Sequence, residues 1–455
     1  MLLKNILNFL NNYYKYLFFI LLLNIFFLNS LAFSNFIRDT EIEQTLYKWS
    51  NPIFKAAGIP KKSIKIHLVA DKRINAFVTD GKHMFINTGL IIEAGSASGL
   101  IGVIAHETGH IAAGHIVNLK QTIKTLKKNQ LITSLLGMGA ILLSNSNDDL
   151  KDDRIDIAKT VLSIGPAIAE KSFFSYSRGK EYVADDLAIK YLKKVNRNPA
   201  SLSIILKKLY GQELLLLERQ DPFLRTHPLS KERMRIINEK TPNKNIEENN
   251  EDIVSYLRIK AKLQGFLNSP GKVLFDNKGN TIHERYARTI AYFRAPMYKR
   301  SLKEIDALLK DYPNDPYFLE LKGQILSENG FIQDAIKNYK KSLKIIPNSP
   351  LILLSLSGLL LENNNNLKKV KEAKKNLDKV IKLEPDNILA WHLKSIAHNK
   401  LGETTQANLS AAEEYLRRRD FINAKFFAKR VLNKTKKFSS QNLRASDIIK
   451  LVNQI

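Results

Sequence analysis

Leu100-Ile-Gly-Val-Ile-Ala-His-Glu-Thr-Gly-His-Ile111 is the stretch on which the reading of this chain turns. Apolar residues at Leu100, Ile101, Val103, Ile104, Ile111 and Ile116 recur at helical spacing, and Ser96 or Ser98 is placed to cap such a helix. His106 and His110 stand four residues apart, so both imidazoles lie on one helical face and reach a common ion at about 2.0–2.1 Å per nitrogen. Glu107 is the neighbouring side chain, placed to take a proton from a water on that ion. Gly109 inside the helix costs about 1 kcal/mol relative to alanine, which close approach of another element or a ligand would explain.

Two histidines leave a tetrahedral ion short of one protein ligand and a water. The chain has no cysteine, so the missing ligand must be a carboxylate or a third histidine. His115 is five residues past His110, off the ligand face, and reads as a structural or supporting histidine. Position 116 is isoleucine, which excludes the longer three-histidine pattern. Glu181 is the better candidate, in Ser177-Arg-Gly-Lys-Glu-Tyr-Val-Ala-Asp185, where Glu181 and Asp185 are again one turn apart. One carboxylate would coordinate while the other holds the N–H of a ligand histidine. The plainer alternative is a solvated charged face.

His227, in Thr226-His-Pro-Leu-Ser230, sits on a proline-constrained loop before a helix that Ser230 could cap. It could stabilise an oxyanion or occupy the open metal position; taken alone it is a loop histidine. His67, His83, His283, His392 and His398 read as structural. The chemistry these parts allow is peptide-bond hydrolysis, with zinc lowering the pKa of water toward ~7 and polarising the carbonyl while Glu107 moves the proton. Strand 84–86 could offer an edge to which an extended substrate adds.

Around this stretch, residues 40 to 240 read as one mixed domain. Ile64-Lys-Ile-His-Leu-Val69 alternates like a half-buried strand, and two more strand-like runs flank Asp80-Gly81, a hairpin signal. Apolar stretches 131–143 and 161–169 flank an acidic patch at Asp148, Asp149, Asp152 and Asp153, and read as buried or interfacial helices over the active site. Further upstream, Lys4 and Lys15 precede the apolar run 16–28, which ends in small residues at Ser30, Ala32 and Ser34. That order is a secretory signal, and the run falls short of the about 20 residues a membrane span requires; an uncleaved anchor is the alternative. Either way the body of the chain lies outside the cytoplasm. The formal charge of +27 comes from scattered lysines, so nucleic acid is not an expected partner, whereas anionic membrane surfaces or acidic partners are.

Past an Asn-, Glu- and Lys-rich stretch near 240–252 the chain repeats. Pro313 and Pro347 are 34 residues apart, the tetratricopeptide period, and Pro385 follows 38 later, Asn363-Asn-Asn-Asn366 accounting for the excess. Gly323, Ala335, Tyr339 and Pro347 fall at the small, small, aromatic and helix-stopping positions, and Ala373, Trp391 and Ala407 continue the phase. Further pairs are expected near 286–309 and 412–432. Such pairs stack into a curved solenoid with a concave binding surface. The expected organisation is a signal peptide (1–34), an α+β zincin-type metalloprotease domain with a small β-sheet (35–240), a connecting segment (241–282) and an all-α tetratricopeptide solenoid (283–455).

His106-Glu-Thr-Gly-His110, Glu181-Tyr-Val-Ala-Asp185, His227-Pro-Leu-Ser and the preceding Asn75-Ala-Phe together resemble the HtpX and CAAX prenyl protease-like zinc peptidases. The exported branch with a C-terminal tetratricopeptide array is the nearer likeness, and it spans nearly all of the mature chain. The resemblance implies one Zn2+ on His106, His110 and Glu181, catalysis by Glu107 and support from Asp185. It implies that His227 can approach the zinc and hold the enzyme in check, and that the segment between the motifs can cover the cleft. It further implies a periplasmic enzyme acting on unfolded or stalled outer-membrane proteins, its repeats engaging the barrel-assembly machinery, with peripheral membrane association as a further expectation. A chaperone or scaffold in which proteolysis is secondary is the competing reading, and a membrane-attached protease a weaker one. Ser96-Ala-Ser-Gly99 stands where the family has an acidic pair, and the surface is unusually basic; both leave the zinc chemistry alone.

Overall fold

The computed structural model describes residues 36–60, 62–79, 81–115, 179–210, 227, 231–241, 247–362 and 366–454. The segment read as a secretory signal, the stretches 131–143 and 161–169, the acidic patch between them, Asp80, Ser230 and residues 363–365 lie outside these. Strands β1 (Phe36–Ile37), β2 (Lys65–Val69), β3 (Ala76–Thr79) and β4 (His83–Asn87) form one sheet in the order β1-β2-β4-β3. β4 runs parallel to β2, Met84 opposite Ile66, and antiparallel to β3, Ile86 opposite Ala76. The period of two puts Ile66, Leu68, Ala76, Met84 and Ile86 on the buried face. Gly81, at φ 72°, supplies the left-handed residue that the β3–β4 turn requires.

Strand 84–86 is therefore interior, bonded on both sides, and offers no free edge for a substrate. The hairpin signal located its β3 partner, but the parallel pairing with β2 is a long-range contact that no local pattern encodes. Among the described residues the outer edge next to the catalytic helix belongs to β3.

Helix α1 (Thr40–Ala56) starts on Asp39, whose carboxylate accepts from the Ile42 amide at 2.9 Å, and buries Ile42, Leu46, Trp49 and Ile53 against the sheet. Short α2 (Thr88–Glu93) leads into α3 (Ala97–Ala112), capped by Ser96 through a 3.0 Å bond from the Gly99 amide. α3 is buried along almost its whole length, between the sheet and α5 (Leu202–Leu209). Helix α4 covers residues 179–194, and α6 (Lys231–Lys240) packs beside α5. A methyl group on Gly109 would lie 2.6 Å from the Ala184 carbonyl oxygen, so α3 and α4 meet backbone to backbone there. That contact is what the glycine in the motif permits.

The connection is not a slack tether. Helix α7 (Asn250–Leu267) contributes Tyr256, Ile259 and Leu263 to the same core as the sheet, and Trp49 Nε1 donates to Asp252 Oδ1 at 2.7 Å. α8 (Pro270–Asp276) then leads into helix pairs α9 (Ile282–Arg294) with α10 (Tyr298–Asp311), α11 (Pro316–Glu328) with α12 (Ile332–Ile345), and α13 (Pro350–Leu361) with α14 (Leu367–Leu383). The pairs α15 (Ile388–Lys400) with α16 (Thr404–Arg417) and α17 (Phe421–Leu432) with α18 (Ser440–Asn453) complete the array. The 34-residue spacing of Ile282, Pro316 and Pro350 as first helical residues is the repeat made visible. Gly323 faces the Tyr339 ring, where a Cβ would sit 2.9 Å from Cε1, so the small residue makes room for the aromatic one within this pair. The fold is α+β followed by an all-α array of tetratricopeptide-like pairs, and no described helix is long and apolar enough to cross a membrane.

The start of α1 is clamped to the array. Lys262 Nζ, buried, lies 2.7 Å from Asp39, and Arg258 bridges Glu41 at 2.7 Å and Asp315 at 2.6 Å. Tyr286 donates to Glu41 at 2.8 Å and Thr40 to Glu320 at 2.7 Å, while Arg38 pairs with Glu384 at 2.6 Å. Part of the array's inner surface is therefore occupied by the chain itself.

Candidate metal centre

Helix α3 presents His106 and His110 one turn apart, and α4 presents Glu181 and Asp185 one turn apart; the glycine contact brings the two pairs within reach of each other. The third contribution is His227. His106 Nε2 lies 3.1 Å from His110 Nε2, 3.2 Å from Glu181 Oε2 and 3.2 Å from His227 Nδ1. His110 Nε2 is 3.3 Å from Glu181 Oε1, and His227 Nδ1 is 3.1 Å from Glu181 Oε2. All four residues are buried.

Those spacings test whether a metal fits. Bonds of about 2.0–2.1 Å at tetrahedral angles require ligand atoms about 3.3 Å apart. The distances here, 3.1 to 3.3 Å, match that edge length. Imidazole nitrogens with one carboxylate form a donor set for a divalent transition metal, and no thiolate competes. His106, His110, Glu181 and His227 could together hold such an ion.

The surroundings orient these groups. His106 Nδ1 lies 2.9 Å from Asp185 Oδ1, an arrangement that fixes the ring with Nε2 toward the cluster. Arg233, on α6 and fully buried, reaches Glu181 Oε2 at 3.0 Å and Asp185 through Nε at 2.5 Å and Nη2 at 2.9 Å. Sequence reasoning missed this arginine. The available signal was its position: Met234, Ile237 and Thr241 mark the inward face of α6, and Arg233 lies on that face too. His115 Nδ1 stands 2.9 Å from His110 Nδ1, close behind the ligand ring rather than in the cluster. His67 and His83 pair with each other on the sheet's outer face, and His283, His392 and His398 lie in the repeats, all away from the cluster.

The electrostatics follow from this packing. Burial alone would raise the Glu181 carboxyl, but His227 and Arg233 more than offset it and hold it well below the carboxylate range. Burial likewise opposes ionisation of Asp185, and the Arg233 guanidinium outweighs it, so both carboxylates stay charged. Burial disfavours charge on His106, yet hydrogen bonds to Asp185 and Glu181 lift it to about 9; burial brings His110 down to about 3. A divalent cation would displace the His106 proton, since ligands bind deprotonated. Glu107 differs from all of them: it is fully buried, neither of its oxygens accepts a hydrogen bond among the described residues, and burial pushes its carboxyl up. Its nearest basic neighbour is His227 Nε2 at 3.3 Å. A buried carboxylate beside a metal site, with a raised pKa and unengaged oxygens, is equipped to accept a proton.

Residues 37–241 match the model of Peptidase family M48. The chain carries an M48 peptidase domain. It is a metallopeptidase, and the clustered histidines and glutamate fall within the M48 domain. The similarity extends beyond the M48 domain: the beta-barrel assembly-enhancing protease of Escherichia coli (strain K12) is 24% identical over 392 residues, covering 83% of this chain and 76% of that protein. The mitochondrial metalloendopeptidase OMA1 of Schizosaccharomyces pombe is 22% identical over 200 residues, 44% of this chain and 53% of that protein. A protease HtpX homolog of Ligilactobacillus salivarius is 29% identical over 160 residues, 33% of this chain and 52% of that protein.

Proposed function

We propose that this chain is an exported zinc metalloendopeptidase, divided as 35–240, 241–282 and 283–455, that cleaves unfolded or misassembled polypeptides in outer-membrane protein quality control. The observation that carries the enzymatic part is the buried cluster of His106, His110, Glu181 and His227, with neighbouring ligand atoms 3.1–3.3 Å apart, beside a Glu107 carboxylate whose oxygens accept no hydrogen bond among the described residues. The likeness to beta-barrel assembly-enhancing proteases over most of both chains supports the outer-membrane setting, stalled barrel proteins as substrates and the assembly machinery as a partner of the repeats.

When bound, zinc supplies a Lewis acid that lowers the pKa of water toward ~7 and polarises the scissile carbonyl. His106, His110 and Glu181 hold the ion, with Asp185 and Arg233 fixing their orientation. Glu107 takes the proton of the attacking water as its oxygen adds to the carbonyl carbon, then delivers that proton to the amine as the C–N bond breaks. An extended substrate pairing with the β3 edge would be recognised through its main chain, which suits polypeptides of any sequence. His227 Nδ1 stands among the ligand atoms, 3.2 Å from His106 and 3.1 Å from Glu181, where it would keep a water from a bound ion, so on this reading His227 would move aside for turnover.

The test is casein hydrolysis and zinc content of the wild type beside Glu107→Gln and His227→Ala. Glu107→Gln should keep one zinc per chain and the folded spectrum while losing at least a hundredfold in rate. His227→Ala should retain zinc on the remaining three ligands and change the rate. Wild-type activity in Glu107→Gln would remove the general base and sink the mechanism.

A further inference from the structure

The pair α17–α18 carries large apolar side chains on its surface. Ile422 is 84% exposed and Phe426, one turn on along α17, 52%; Phe438, in the turn to α18, is 82% exposed. Phe438 also adopts φ 66°, a left-handed conformation costly for a bulky aromatic residue and one that neither burial nor a turn glycine accounts for.

The same segment is strongly basic. Arg419, Lys425, Lys429, Arg430, Lys434, Lys436 and Lys437 fall within it, against a single acidic residue, Asp420. Asp420 spends its carboxylate on capping α17, through the Asn423 amide at 3.1 Å and side chain at 2.7 Å. The acidic groups on the neighbouring helix are also engaged: Glu413 pairs with Arg417 and Arg444, and Glu414 with Arg418. No carboxylate among the described residues pairs with any of the seven cations; Lys425 reaches only Asn453, and Arg430 lies over the Phe426 ring at 5.7 Å.

We propose that the end of the array formed by α17 and the turn 433–439 docks on an anionic lipid surface, with Ile422, Phe426 and Phe438 entering the headgroup region and the lysines lying among the phosphates. Two arguments favour lipid over a protein partner. Five of the seven cations are lysines, which protein interfaces deplete and which anionic membrane surfaces attract. The apolar residues are few and interspersed in sequence with long flexible cations, Arg430 lying over the Phe426 ring, which suits a shallow interfacial contact better than a packed protein seam. This proposal does not rest on the peptidase reading.

The experiment is flotation of the purified protein with vesicles of phosphatidylglycerol and phosphatidylethanolamine, and with neutral phosphatidylcholine vesicles. Binding is expected to the anionic vesicles, weakening at least tenfold in 0.5 M salt. Ile422→Ser/Phe438→Ser and Lys434→Glu/Lys436→Glu/Lys437→Glu should each lower partition at least tenfold at unchanged helix content and melting temperature. Equal binding to neutral vesicles, or binding retained by both variants, would put the contact elsewhere in the chain and overturn the proposal. Sedimentation without lipid closes the remaining route: a wild-type dimer that either variant dissociates would assign this face to a second copy instead.

Discussion

Arg233 couples the two carboxylates that matter most to the metal site. It is fully buried between Glu181 and Asp185, so removing it leaves two desolvated carboxylates with histidines alone as partners among the described residues. Arg233→Leu should therefore cost about 3–5 kcal/mol of stability, visible as a lowered denaturation midpoint. Arg233→Lys keeps the charge but cannot bridge both residues at once, and should reduce metal affinity about 10–100-fold in a chelator competition while largely preserving the fold. An unchanged affinity in Arg233→Lys would reduce the residue to a packing role. Helical spacing put His106 with His110, and Glu181 with Asp185, each pair on one face without any knowledge of the fold, but spacing alone left the second pair open to being a solvated charged face, and its role came from the family resemblance. Arg233 was not readable, since one of two arginines in Lys231-Glu-Arg-Met-Arg235 looks like a solvated charge until the acids it faces are known.

At the scale of elements, the α3–α4 crossing sets a contest between two effects at Gly109. Propensity alone says that Gly109→Ala should stabilise α3 by about 1 kcal/mol. The packing says the reverse, because the new Cβ would meet backbone, the Ala184 carbonyl oxygen at 2.6 Å, which cannot rotate away. Thermal unfolding should show a loss of at least ~1–3 kcal/mol, with metal affinity falling as the two helices separate. A melting temperature at or above wild type would mean that the crossing is looser than the geometry indicates. Element by element, the helices and the hairpin were legible from period and turn chemistry, and Ser96 from its capping position. The strand order was not: β2 and β4 are joined by a pairing between segments that the chain separates with β3, so the sequence pattern pointed to the wrong edge.

Across the whole molecule, the junction between α1 and the repeats is built from charges that any sequence reading would assign to solvent: Asp39, Glu41, Arg258, Lys262 and Glu320. Glu320 carries the test. It is half-buried, accepts from Thr40 through Oε1, and its inward-facing Oε2 accepts no hydrogen bond among the described residues. Burial, opposed by Lys262 and reinforced by Asp39 and Glu41, pushes its carboxyl up to about 7 from an ordinary 4.5. A raised acid favours its protonated form in the folded state, so its contribution is fully present below pH 4.5 and is lost as pH climbs to about 7. The loss is on the order of 3 kcal/mol when complete. Glu320→Gln mimics the protonated form and keeps the acceptor for Thr40. Its melting temperature should match wild type near pH 4.5, exceed it increasingly up to about pH 7, and hold a constant lead beyond. Because every other titrating group is common to both proteins, the difference between the two curves reads this one carboxyl. A difference that does not change with pH would show that Glu320 ionises normally, and that the buried contact between the array and the M48 domain opens to water.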